Sequence, residues 1–172
     1  SVLTPVYNGE EYLAECIQSV LGQTYQNWEY CIVNNCSTDR TLEIAKAYAQ
    51  KDKRIRIHNN PAFVGCDENG NIAFQSISSS SKYCKVIHAD DWMFPECLME
   101  MVELAEAHPT IAIVSSYRLT NIRVTVQALP YASRVIPGRD ICRMTLLGLP
   151  SVFGSPSAIL IHADEVRKRP YF

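Results

Sequence analysis

YCKVIHADDWMFPECLMEMVELAEAH, residues 83–108, is the run on which the fold turns. An apolar strand pattern, YCKVIHA, leads into a histidine and two adjacent carboxylates, and a helix pattern follows within a few residues. Pro95 suits helix position N1, and Leu98, Met99, Val102 and Ala105 recur at helical spacing. A short buried strand that gives way to a helix is one unit of a parallel sheet.

The same unit repeats on the amino-terminal side. SVLTPVY (1–7) is an apolar strand, and NGEEYLAECIQSVLGQ (8–23) a helix with Asn8 as its N-cap, an apolar face of Leu13, Cys16, Ile17, Val20 and Leu21, and Gly22 as its stop. WEYCIVNN is a second strand, and STDRTLEIAKAYAQKD a helix that Ser37 or Thr38 can cap. RIRIHNN alternates basic and apolar residues, as a less buried strand does. Residues 67–80 form a weaker helix, disfavoured by Gly70 and the serines of SISSSS. IAIVSSYRL is a further strand, and beyond about residue 118 the rhythm breaks into VTVQAL, the helix-like GRDICRMTLLG and SAILIH, among many prolines and glycines. The whole predicts an α/β fold: a Rossmann-like, mostly parallel sheet with helices on both faces, whose ligands bind beyond the carboxyl ends of the strands.

The 172 residues fit one domain, and no linker or internal repeat divides them. A net charge of -2 argues against a general nucleic-acid-binding surface. The seven cysteines are odd in number, never form C-x-x-C and fall mostly in apolar runs, which fits buried free thiols in a reducing cytoplasm. No apolar run reaches the roughly 20 residues of a membrane helix.

Three polar clusters end three of the strands: Tyr7-Asn8, Asn34-Asn35 and His88-Ala89-Asp90-Asp91. Parallel topology brings them to one edge. Each has a plain explanation as a cap or turn. For the carboxylates there is a rival one: two adjacent aspartates at a strand mouth repel each other, and a hard divalent cation shared with phosphate oxygens relieves this. His58 and His108 have no clustered partners and read as surface or loop residues.

SVLTPVYNGEEYLAECIQSVLGQTYQNWEYCIV, STDRTLEIA and VIHADDWMFPECLMEMV together resemble the inverting glycosyltransferases of family 2, which have the GT-A fold. The match runs through residues 1–118 and weakly through SPSAILIHADEV, which divides the single domain into a nucleotide-sugar-binding half (1–118) and a partial acceptor-side half (119–172). The resemblance implies a nucleotide-binding set of Pro5, Val6, Tyr7, Asn34, Asn35, Asn69, Ala89 and Asp90. It makes Asp90 the ligand of Mn²⁺ or Mg²⁺, with Asp91 and His88 as further candidates. The implied reaction moves a sugar from a nucleotide-diphosphate donor, a UDP-sugar first among them, to the hydroxyl of a glycan, lipid-linked or other acceptor. The alternative is a non-catalytic nucleotide-sugar-binding module of the same fold. Cell-surface polysaccharide biosynthesis is the implied setting, in the cytoplasm or at the inner face of a membrane.

The chain departs from the family pattern at several places. His88 replaces the first aspartate of D-x-D, Asn34 and Asn35 replace two acids, Cys36 stands for glycine, and Glu68 precedes Asn69 where a basic residue is common. An amide at position 35 can accept or donate, so Asn35→Asp is expected to sharpen selectivity for uridine over cytidine diphosphate. The family's general base is expected beyond Phe172, on the reading that the chain is a fragment. Asp164 and Glu165 look like the start of a helix, and His162 is the one nearby candidate for an acceptor-side role.

Overall fold

The computed structural model describes residues 1–125, 135–148 and 152–168. The parallel strands are β1 (Val2–Val6), β2 (Tyr30–Asn34), β3 (Ile55–Asn59) and β4 (Tyr83–Val86); the sheet is completed by β5 (Ile113–Ser115) and by β8 (Ile159–His162). Its order is β3-β2-β1-β4-β8-β5, and β8 runs antiparallel to both neighbours. A separate hairpin joins β6 (Arg118–Thr120) to β7 (Arg123–Thr125). The end of VTVQAL and the final residues of the chain lie outside the described residues.

Alternation along the strands explains why helices cover both faces. Val6, Tyr30, Ile32 and Ile55 point to one side, where they pack with Leu13, Cys16, Ile17 and Val20 of α1 (Leu13–Leu21) and Ala45 of α2 (Thr41–Ala49). Leu3, Cys31, Val33, Cys84 and Val86 point to the other, against Ala73 of α3 (Cys66–Gln75) and Val166 of α6 (Ala163–Arg167). Leu13, Ile17, Ile32 and Val33 are fully buried, each worth about 1.5–3 kcal/mol. β3 is an edge strand and only Ile55 in it is buried, as its basic–apolar alternation predicts.

Differences from the sequence reading have local causes. Asn8 does not cap α1, which begins at Leu13; it takes a left-handed conformation (φ 49°) in the turn before it. Neither Ser37 nor Thr38 caps α2: the residue before the helix is Arg40, and Asp39 Oδ1 accepts from Thr41 N at 3.0 Å. IAIVSSYRL divides between β5 and β6. α4 (Cys97–Ala107) buries Leu98, Met101 and Ala105, with Met99 and Val102 half-buried. The first turn of α4 has no local cap. Gln23, at the end of α1, serves instead: its Oε1 accepts from Leu98 N (2.9 Å) while its Nε2 donates to Phe94 O (2.8 Å).

Candidate active site at the carboxyl edge of the sheet

The turns that leave β1 and β2 clasp each other through side-chain to main-chain bonds. Asn8 N donates to Ser37 Oγ (3.0 Å), Thr38 N to Asn8 Oδ1 (2.9 Å), Gly9 N to Thr41 Oγ1 (2.7 Å), and Arg40 N to Glu10 Oε2 (2.9 Å). Tyr7, outside this clasp, is half-exposed and meets the exposed ring of Phe63 edge-on at 4.9 Å. Pro5 is partly buried and Val6 buried. Gly9 touches the acidic turn: a Cβ there would lie 2.7 Å from Val6 Cγ2 and 3.4 Å from Ala89 Cβ. Gly9→Ala is therefore expected to cost about 1–3 kcal/mol by overpacking, read as a lower urea midpoint; an unchanged midpoint would show the turn to be loosely packed.

The acidic turn is held by its main chain. His88 N donates to Ser157 Oγ (3.0 Å), and His88 O accepts from Asp91 N (3.0 Å) and Cys16 Sγ (3.4 Å). Just before it, Ile87 O accepts from Thr4 Oγ1 (2.8 Å), which also contacts Tyr30 Oη at 2.8 Å. These buried hydroxyls stay neutral. Burial pushes the Cys16 thiol up to about 11 and Tyr30 well above its usual value. With the backbone so fixed, His88, Asp90 and Asp91 each offer a ligand atom, and these atoms lie within 4.8 Å of one another. Asp90 is exposed; His88 and Asp91 are half-buried. Two carboxylates and an imidazole, open on the Asp90 side, suit a divalent cation that keeps positions free for phosphate oxygens.

A family model described as glycosyl transferase family 2 matches residues 1–164. The chain belongs to this family. An uncharacterized glycosyltransferase of Haemophilus influenzae is 35% identical over 117 residues, which is 68% of this chain and 36% of that protein. Glycosyltransferase GlyA of Streptococcus pneumoniae is 31% identical over 118 residues, 68% of this chain and 16% of GlyA. The chain thus spans about a third or less of these relatives. Among solved structures, S. aureus TarS 1-349 in complex with UDP-GlcNAc superposes with a TM-score of 0.78 at 20% identity, over 99% of this chain and 47% of that one. The mannosyltransferase PcManGT from Pyrobaculum calidifontis, in complex with GDP-Man and Mn²⁺, gives a TM-score of 0.59 at 23% identity, over 66% of this chain and 34% of its own. The fold is that of the GT-A glycosyltransferases.

The residues nominated from the sequence of this family 2 domain fall into two groups. Ala89, Asp90, Asp91 and His88 share the turn after β4, and Tyr7 follows the parallel neighbour β1 at the same sheet edge. Asn34, Asn35 and Asn69 lie beneath, each no more than 4% exposed. Asn34 Nδ2 donates to Asn59 Oδ1 (3.2 Å), and Asn34 Oδ1 accepts from Ser37 N (3.3 Å). Asn35 pairs with the main chain of Val64 in both directions: Nδ2 donates to Val64 O (2.9 Å) and Oδ1 accepts from Val64 N (3.0 Å). Asn60 Nδ2 bridges Asn35 Oδ1 (3.0 Å) and Asn69 Oδ1 (2.9 Å). The carboxamides thus fix the loop that carries Phe63. Cys36 takes a left-handed conformation (φ 55°) and donates to Asn60 O at 3.3 Å.

His162 lies at the opposite edge of the sheet from the acidic turn. In the antiparallel register it faces Tyr83, at the start of β4, whereas the acidic turn lies past its other end, about 17 Å away at the strand rise. Its Nδ1 accepts from Asp164 N (3.3 Å) and so caps α6, whose first turn holds Asp164 and Glu165 as expected. His58 lies exposed on β3, and His108 exposed at the end of α4. A cavity of about 310 Å³ between Ser1, Trp28, Tyr83, Leu98 and Leu160 sits at the amino edge of the strands, opposite the acidic turn. Phe63, Lys85 and Ser157 are residues that sequence reasoning missed. For Lys85 a signal existed, since it is the one charge inside the apolar run YCKVI. For Ser157 there was none, because its partner is 69 residues away.

Proposed function

We propose that this domain transfers a sugar from a nucleoside-diphosphate donor to an acceptor hydroxyl, with inversion and with a divalent cation held by Asp90, Asp91 and His88. The observation that carries this reading is the 4.8 Å cluster of ligand atoms at the carboxyl edge of a family 2 domain. A bound cation would supply charge to the donor diphosphate and the departing nucleotide. An imidazole in the set favours Mn²⁺ over Mg²⁺, which prefers oxygen ligands. The UDP-GlcNAc held by TarS and the GDP-Man and Mn²⁺ held by PcManGT support the donor class and the cation.

The chain's own groups would hold the base and the ribose. The exposed rings of Tyr7 and Phe63 offer an apolar surface for a base, and the turn at Gly9 and Ala89 leaves main chain close to where a ribose would lie. In the course of transfer the acceptor hydroxyl must lose its proton to a general base. Inversion follows if that base and the leaving diphosphate lie on opposite faces of the sugar. The engaged carboxamides of Asn34 and Asn35 favour a second reading, nucleotide-sugar binding without transfer. The described helices include none long and apolar enough to cross a membrane. On the family's setting we place the domain in the cytoplasm or at the inner membrane face.

Calorimetric titration with UDP and GDP, each with and without Mn²⁺, tests the proposal. Mn²⁺ is expected to strengthen binding of a nucleoside diphosphate, and affinities indifferent to Mn²⁺ would remove the cation. A transfer assay on the full-length protein separates the two readings, with absence of product from any donor that binds favouring the second.

A further inference from the structure

Lys85 lies in the centre of the sheet and is only 1% exposed. Its neighbours along the strand, Cys84, Val86 and Ile87, are all buried and apolar or weakly polar. Among the described residues no carboxylate lies within ion-pair distance of it. Its acceptors are two main-chain carbonyls, of Ser157 and of Ile159 (3.4 Å). Burial pushes the ammonium down to about 8, a measure of how poorly the interior suits the charge. Core packing alone would be served better by a methionine or leucine at this position. The side chain also borders the amino-edge cavity, but its hydrogen bonds run the other way, to the segment that enters β8.

That segment is a 3₁₀ turn, Pro156–Ala158, capped by Ser155 Oγ accepting from Ser157 N. Ala158 O accepts from Ser116 N (2.8 Å) and from Ser116 Oγ (3.1 Å), which anchors the turn to the end of β5. The outward side of the turn meets the acidic cluster. Ser157 receives Lys85 Nζ on its carbonyl and His88 N on its hydroxyl (3.0 Å). Two residues three apart on β4 and its exit therefore hold one serine between them. His88 is the first residue of the cluster, and its carbonyl in turn accepts from Asp91 N. A shift of Ser157 would pass directly into the spacing of His88, Asp90 and Asp91.

We propose that Lys85 and Ser157 are positioning residues for the cation site: the buried ammonium fixes the turn, and the Ser157 hydroxyl fixes the main chain of His88. This rests on the cation reading given above. Groups one step removed from metal ligands typically change metal affinity by about 10–100-fold when lost. Because the two residues act through one turn, their losses should not add.

The test uses Lys85→Met, Ser157→Ala, the double variant and Ser157→Thr. UDP affinity is measured with Mn²⁺, with Ca²⁺ and without metal, and folding is checked by urea denaturation. Each single variant is expected to lose about tenfold or more in the Mn²⁺ enhancement of UDP binding and to narrow the preference for Mn²⁺ over the larger Ca²⁺, with metal-free UDP affinity kept. The double variant should be no worse than the weaker single one, and Ser157→Thr, which retains the hydroxyl, should restore the wild-type response. A merely structural role would lower the urea midpoint without moving the Mn²⁺-to-Ca²⁺ ratio, and that result overturns the proposal. So does wild-type enhancement in Ser157→Ala, which carries the test if Lys85→Met fails to fold. Additive losses overturn the shared turn. If the wild type itself shows no Mn²⁺ enhancement, the cation reading fails and the positioning role with it, an outcome distinct from variants that respond like a responsive wild type.

Discussion

Asp90→Ala is expected to lower the Mn²⁺ enhancement of UDP binding by about 100-fold or more while changing stability by less than about 0.5 kcal/mol. The two effects separate because Asp90 does little for the fold. Its side chain is exposed, and among the described residues its carboxylate accepts no hydrogen bond and joins no ion pair. Its field reaches Tyr12, whose hydroxyl is held above its usual value mainly by Glu11 and in small part by Asp90. For a cation the balance is reversed: Asp90 is the open member of a three-atom cluster, and its loss leaves one carboxylate and an imidazole. Calorimetry of both proteins, with and without Mn²⁺, reads the affinity term, and urea denaturation reads the stability term. A mutant with undiminished enhancement would take Asp90 out of the ligand set. Asp90→Asn should resemble alanine, since a neutral amide oxygen is a weak ligand for a hard cation.

The parts of this domain that local pattern encodes could be read from the chain. Leu13, Cys16, Ile17 and Val20 recur at helical spacing, and all four are buried on one face of α1. The cluster of His88, Asp90 and Asp91 could be named from sequence because it follows its strand immediately, so topology alone sends it to the sheet edge. What the pattern did not encode was set by distant partners. An apolar run such as SAILIH looks the same whether its strand runs parallel or antiparallel, and the reversed direction of β8 is what takes His162 to the edge away from the acidic turn. Asn8 has the chemistry of a helix cap, yet its Oδ1 is engaged by Thr38 N, 30 residues away. Gln23 caps α4 from 75 residues away and no local rule would nominate it. The amides at the end of β2 are the same kind of case, and there the two readings predict opposite results.

Asn35→Asp is expected to destabilise the protein by about 3 kcal/mol at pH 7. One oxygen of the new carboxylate could still accept from Val64 N and Asn60 Nδ2, as Oδ1 does now at 3.0 Å from each. The other would stand where Nδ2 donates to Val64 O at 2.9 Å, setting an anion against a carbonyl at a site 3% exposed. Protonation is the cheaper escape, because a neutral carboxyl can donate to that carbonyl. The introduced group would thus have a folded-state pKa above its unfolded value of about 3.9. The folded state then binds more protons than the unfolded one, so the variant loses stability as pH rises through the raised pKa. Its deficit against wild type should be largest at pH 7 and shrink toward pH 4, where both proteins can be compared by urea denaturation. The alternative to protonation is withdrawal of the Val64 segment. Phe63 would move with it, loosening the 4.9 Å contact with Tyr7 and weakening UDP binding as well. The family pattern, which places an acid here, leads instead to a stable variant with sharper preference for uridine over cytidine diphosphate. If Asn35→Asp holds its wild-type midpoint at pH 7 and that preference rises, the side chain faces the base and its pairing with Val64 is not what fixes the loop.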